Sequence, residues 1–164
     1  PGYKYLSETH KSDYLRCYFL HFYGEGYSDI KITERSWVQA YNTLNDDNNL
    51  YAVGYPEIEG GSIYKNSPHL ENSYKILIGN GGFIFKKQTP LSWEYYNKVT
   101  NLMNNVFENL KKYPAKDVRT VYTKEYPYPL VWGDFNEICA NIMYKYQKNI
   151  DQVLPYDGLG KPYR

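Results

Sequence analysis

Residues 11–31 read KSDYLRCYFLHFYGEGYSDIK, and the fold of the chain is decided there. Tyr14, Leu15, Tyr18, Phe19 and Phe22 recur at helical spacing. They predict an amphipathic helix over about 10–23, with Thr9 as its N-cap. Gly24 and Gly26 end that helix and allow a sharp reversal, after which Tyr27 to Ile32 reads as a short strand. Asp13 and Arg16, one helical turn apart, share a side of the helix. Asp29 and Lys31, two positions apart on a strand, share a face. Four ionisable groups are therefore expected around one turn of an otherwise apolar helix–strand unit. Such a mixture suits a ligand that is both polyhydroxylated and phosphorylated.

Outward from this unit, helices and short strands alternate. A second helix is predicted over about 33–44, with Trp37, Val38, Tyr41 and Leu44 as its stripe, and a buried strand over 50–54. Residues 55–72, with Pro56, Gly60, Gly61 and Pro68, read as a long surface loop. An apolar run over 73–78 leads to Gly79-Asn80-Gly81-Gly82, read as a turn, and to a strand over 83–86. Thr89-Pro90 has the form of an N-cap followed by proline at the first helical position. That helix is predicted to reach about Lys112, with Trp93, Tyr96, Val99, Leu102, Met103, Val106 and Leu110 on its stripe, and Pro114 bars its continuation. After a polar loop with Tyr126-Pro127-Tyr128-Pro129, a last helix is expected over about 133–148. Its core positions are Phe135, Ile138, Cys139, Ile142, Met143 and Tyr146. No internal repeat or linker divides the chain, so 1–164 reads as one α/β domain.

Composition excludes more than it selects. Apolar content of 42% and charged content of 23% are ordinary for a soluble globular protein. A net charge of +1 gives no reason to expect nucleic acid as a partner. No apolar run is long enough for a transmembrane segment and no signal-peptide pattern is present, so a cytoplasmic location is expected. Cys17 and Cys139 sit among apolar neighbours in predicted helices and read as buried thiols. His10, His21 and His69 lack metal-ligand spacing. The 21 tyrosines could serve sugar or base stacking, but Asn, Lys and Ile, also encoded by AT-rich codons, are abundant too.

Ser12-Asp13-Tyr14-Leu15-Arg16 and Tyr23-Gly24-Glu25-Gly26-Tyr27-Ser28-Asp29-Ile30-Lys31 together resemble the SD-x-x-R … YGG-x-Y-x-D-x-D signature of DxD-type glycosyltransferases. This superfamily includes capsular-polysaccharide and viral-capsid sugar transferases, initiating mannosyltransferases and the glycosylating domains of clostridial toxins. The resemblance implies a GT-A-like, Rossmann-like nucleotide-sugar transferase domain, with a donor-side motif over 9–32 and acceptor-side elements over 73–148. It implies that Asp13 and Arg16 hold the donor sugar. Asp29 and the residue at position 31 would engage the nucleotide diphosphate through Mn²⁺ or Mg²⁺. The chain departs from the family where the second Asp of DxD is Lys31. In the family an earlier strand–turn–helix cups the base, so the resemblance also implies a chain lacking that N-terminal β-α segment.

The chemistry expected at each position follows from what the reaction needs. A departing diphosphate develops negative charge that must be neutralised. Either Asp29 binds the metal alone, or Lys31 acts directly as a fixed cation and the metal becomes dispensable. An Asp13–Arg16 ion pair on a solvated helix face and an Asp29–Lys31 surface pair are the bland readings of the same residues. Asn80, Gly81 and Gly82 are candidates for the acceptor side, because absent side chains let a ligand approach backbone. Trp132 is a candidate stacking platform. Asp134 and Glu137 are candidate bases that would deprotonate an acceptor hydroxyl, although acidic residues in a first helical turn also suit the helix dipole. The glycine-rich tail 158–164 reads as a frayed end or as a lid over the diphosphate. The expected function is transfer of a hexose from a UDP- or GDP-linked donor to a glycan acceptor, as in capsule and other polysaccharide biosynthesis. The alternatives are an inactive carbohydrate-binding relative and a Tyr-rich interaction domain.

Overall fold

The computed structural model describes residues 1–31, 33–62, 64 and 66–159. Five helices and four strands are formed among them: α1 (Glu8–Phe22), β1 (Glu25–Ser28), α2 (Val38–Asp46), β2 (Ala52–Pro56), α3 (Pro68–Glu71), β3 (Ile78–Phe85), α4 (Pro90–Lys112), α5 (Asp134–Lys145) and β4 (Ile150–Asp151). The strands form one sheet in the order β1-β3-β2-β4. β3 is antiparallel to both of its neighbours, and β4 runs parallel to β2. The architecture is a mixed α/β domain. Phe83 and Phe85 join the core made with α1, α4 and α5, whereas Ile84 joins a second core with Ala40 and Leu44 of α2. The alternation along β3 thus places helices on both faces of the sheet.

Helix α1 departs from its expected orientation. Its N-cap is Ser7, whose hydroxyl accepts from the His10 amide. Thr9 lies inside the helix and donates its hydroxyl to the Val118 carbonyl. The buried face is His10, Asp13, Arg16, Cys17, Leu20 and His21, while Phe19 is 51% and Phe22 38% exposed. The apolar stripe therefore points largely outward. The polar groups are buried because each finds a partner. His21 Nδ1 meets Ser92 Oγ, and His10 Nε2 lies 3.2 Å from the Val131 carbonyl, so that nitrogen carries the proton. His10 Nδ1 then accepts from the Tyr128 hydroxyl, which in turn accepts from the Ser7 amide.

The turn after α1 uses left-handed backbone at Gly24 (φ 74°) and at Glu25 (φ 71°). Gly26, expected in that role, lies in β1, where a side chain would strike the Tyr41 hydroxyl and Trp37. β1 is shorter than predicted. One further bond, Asp29 N to Gly81 O, follows it, and the Lys31 amide then turns back onto the Asp29 carbonyl at 2.7 Å. Ile32, assigned to this strand from sequence, lies outside the described residues.

The predicted turn at Gly79–Gly82 is also corrected, because these residues are the interior of the continuous strand β3. Their small size serves the rings lying on them. A Cβ at Gly79 would sit 2.1 Å from Tyr55, and one at Gly81 would sit 2.4 Å from the Tyr156 hydroxyl. Residues 55–72 are not a simple surface loop, since Tyr55, Glu57, Tyr64, Ser67 and Leu70 are buried and α3 forms there. α2 begins at Val38 rather than near 33, and Val38 faces outward. α4 keeps its predicted bounds through a capping box between Thr89 and Ser92. Its buried residues include Leu91, Tyr95, Val99, Met103 and Leu110, whereas Trp93 is exposed. Cys17 and Cys139 are buried thiols, and burial raises both, Cys139 to about 11. Among the described residues no helix is long and apolar enough to cross a membrane.

Candidate functional site

A cleft of about 300 Å³ opens at the end of β1, where several separate parts of the chain meet. α1 contributes Asp13 and Arg16, and the turn after β1 contributes Asp29 and Lys31. β3 contributes Asn80 and Gly81, and the segment before α5 contributes Trp132. All seven had been singled out in the sequence, and they share one cavity because β3 lies beside β1 and under α1.

Arg16 organises this floor. It donates to Asp13 Oδ1 at 3.0 Å, to the Tyr27 hydroxyl at 3.0 Å and to the Asn80 carbonyl at 3.1 Å. Its guanidinium lies 4.1 Å from the Tyr27 ring centroid. The Tyr27 hydroxyl in turn donates to Asp29 Oδ1 at 2.9 Å. A chain of polar contacts thus links helix α1 to the Asp29 carboxylate, and it lies mostly out of solvent. Burial raises the Asp13 carboxyl above the usual range, Arg16 and His10 pull it back, and Asp29 adds repulsion. Burial opposes the Arg16 charge, but Asp13 and the neighbouring phenols hold it above its ordinary value. Among the described residues, the buried Arg16 Nε and Asn80 Oδ1 find no hydrogen-bond partner.

The C-terminal segment supplies another wall. Leu154 N donates to Gly54 O, Trp37 Nε1 to Pro155 O, and Lys31 Nζ to Gly158 O at 3.2 Å. Asp157 accepts from the Glu34 and Arg35 amides and from Arg35 Nε. These bonds, the Glu34 amide foremost, hold its carboxyl below the usual range. Tyr156 stacks on Tyr55 with ring centroids 4.2 Å apart and planes 8° apart. Residues 154–158 are thus held by hydrogen bonds, and of the tail 158–164 read as a frayed end or a lid, residues 160–164 lie outside the described residues.

Three predicted residues lie elsewhere. Gly82 is buried under Tyr156, away from the cleft lining. Asp134 Oδ2 accepts from the Val131 amide at 2.8 Å, and Glu137 Oε1 accepts from the Asn66 amide at 2.9 Å. Both belong to neighbouring cavities rather than to the Asp29 cleft. The sequence reading missed Tyr55, Glu57, Asn136 and Tyr156, which also line the cleft. The glycines of β3 were the available signal for Tyr55 and Tyr156, since strand glycines mark a close approach. Glu57 is pinned by the Ile58 amide and the Ser62 hydroxyl, a local turn with no distinctive sequence pattern. The Tyr55 phenol is pushed up to about 12 by burial, against the Gly81 amide that donates to it.

Among the described residues, no group of three or more His, Cys, Asp or Glu is arranged to hold a metal ion. Asp13 and Glu57 both accept hydrogen bonds in the cleft. Asp29 likewise accepts a hydrogen bond, from the Tyr27 hydroxyl, so a hard divalent cation at Asp29 would share its carboxylate with that bond and complete its shell with oxygen atoms of a ligand and water. Comparison with protein-family models, with curated proteins and with solved structures finds no match.

Proposed function

We propose that the cleft is the donor site of a glycosyltransferase of the GT-A type, which moves a hexose from a nucleoside-diphosphate donor to a glycan. The supporting observation is the convergence of Asp13, Arg16, Asp29, Lys31, Asn80, Gly81 and Trp132 on one cavity from segments more than a hundred residues apart in sequence. Each does a task the reaction requires. Asp29 and Lys31 meet the diphosphate at the mouth, and Lys31 supplies fixed positive charge as the leaving group develops its own negative charge. A divalent cation fits as a guest of the diphosphate held by Asp29, and there it would supply further charge neutralisation. Asp13 presents carboxylate oxygen to sugar hydroxyls, and Arg16 fixes the orientation of Asp13 and of the Asn80 backbone. Trp132 stands on the acceptor side.

The test is release of nucleoside diphosphate from UDP-hexoses and GDP-mannose by the purified protein, with and without Mn²⁺. Release is expected from at least one donor and should fall about 100-fold in Lys31→Ala, the usual cost of removing a preorganised charge-stabilising group. No release from any donor would overturn the enzyme reading. A second reading, an inactive sugar-binding relative, is favoured by the engagement of Asp134 and Glu137 in internal hydrogen bonds. It predicts binding of the donors without release.

A further inference from the structure

The Asp29 cleft has a second chamber. A cavity of about 440 Å³ lies toward the start of α5 and shares Gly61, Ser62, Trp132 and Asn136 with the first. Trp132 is 51% exposed although its ring stands in the wall common to both. The Arg119 guanidinium lies 5.7 Å from the ring centroid. Among the described residues, this wall also includes Gly60, Gly61, Ser62, Asn66, Val131, Gly133 and Asn136. The Glu137 carboxylate is also in this wall, buried, with Asn66 donating to it from its backbone at 2.9 Å and toward it from its side chain at 3.5 Å. Asn80 lines the first chamber, and among the described residues its buried Oδ1 has no hydrogen-bond donor.

We propose that this second chamber is a subsite for a neutral saccharide, one ring of which stacks on Trp132 while its hydroxyls meet Ser62, Asn66 and Asn136. The proposal rests on the transferase reading of the first chamber and adds to it the chemical class of the acceptor. A flat, half-exposed aromatic offers an apolar face to the C–H face of a sugar ring. Amides and hydroxyls offer both donors and acceptors, which a polyol can satisfy in pairs. The Glu137 carboxylate disfavours an anionic sugar or a phosphate in the same place. A saccharide seated here carries its next ring across the shared wall of Gly61, Ser62, Trp132 and Asn136 toward the Asp29 chamber.

The experiment is calorimetry of the whole chain with neutral tetrasaccharides of glucose, mannose and N-acetylglucosamine, and with a tetrasaccharide of galacturonic acid. UDP and GDP are titrated into the same samples. The variants are Trp132→Ala and, as a control of equal exposure outside the cleft, Trp93→Ala. Binding of at least one neutral tetrasaccharide is expected, weakened about tenfold or more by Trp132→Ala and unchanged by Trp93→Ala. The uronic acid is expected not to bind. Absence of neutral binding, survival of that binding in Trp132→Ala, or tighter binding of the uronic acid overturns the proposal. Nucleotide binding without saccharide binding would remove this subsite and leave the donor reading standing. Saccharide binding that needs Trp132, without nucleotide binding, would keep the subsite and remove the donor reading.

Discussion

Arg16 shows how much one side chain can organise. Its guanidinium joins α1 to β1 through Tyr27 and to β3 through the Asn80 carbonyl, and it neutralises Asp13 in a place where both side chains are less than a tenth exposed. Removing one member of such a pair leaves the other charge buried and alone. Arg16→Met should therefore lower stability by about 3–5 kcal/mol, read as a shifted midpoint in urea unfolding. The double variant Asp13→Leu/Arg16→Met should recover part of that loss. A loss below about 1 kcal/mol for the single variant would mean that the pair is well solvated after all. Asp13, Arg16, Asp29 and Lys31 were legible in the sequence because each pair sits on one local element at a telling spacing. Tyr55 and Tyr156 were not, since their stacking joins residues a hundred positions apart and leaves no periodic trace.

At the scale of elements, β3 and α1 mark where local patterns mislead. Gly79-Asn80-Gly81-Gly82 reads as a turn because glycine is common in turns, yet each of its glycines lies under a tyrosine ring in mid-strand. The expected consequence is that Gly79→Ala destabilises by about 1–3 kcal/mol through overpacking against Tyr55. The same substitution should cost clearly less in a Tyr55→Leu background, a coupling that a double-mutant cycle measures. Equal costs in both backgrounds would show that the strand needs glycine for another reason. In α1, hydrophobic periodicity chose Tyr14, Leu15, Tyr18, Phe19 and Phe22, but the buried face carries His10, Asp13, Arg16 and His21. Periodicity counts apolar side chains and cannot anticipate that distant groups such as Val131 O and Ser92 Oγ will satisfy polar ones. α4 was read with its correct ends because Thr89 and Pro90 state its start locally and Pro114 its stop.

Across the whole molecule, the site depends on strand order. Placing β3 between β1 and β2 sets Asn80 and Gly81 beside Asp29. Pairing β4 with β2 then leads the C-terminal segment past Tyr55 to the far wall of the cleft. The alternation of helices and strands made the α/β class legible. The sheet order was not, because the pairings that set it connect segments far apart in the chain. In the proposed function this cleft holds a nucleoside diphosphate through Asp29. The most direct test is calorimetric titration of UDP and GDP, with Mn²⁺ and with EDTA, into the wild-type chain and Asp29→Ala. The account predicts that at least one nucleotide binds and that Asp29→Ala weakens it about tenfold or more, the scale of one lost charge-assisted contact. Binding that is indifferent to Asp29→Ala, or no binding of either nucleotide under either condition, would contradict it.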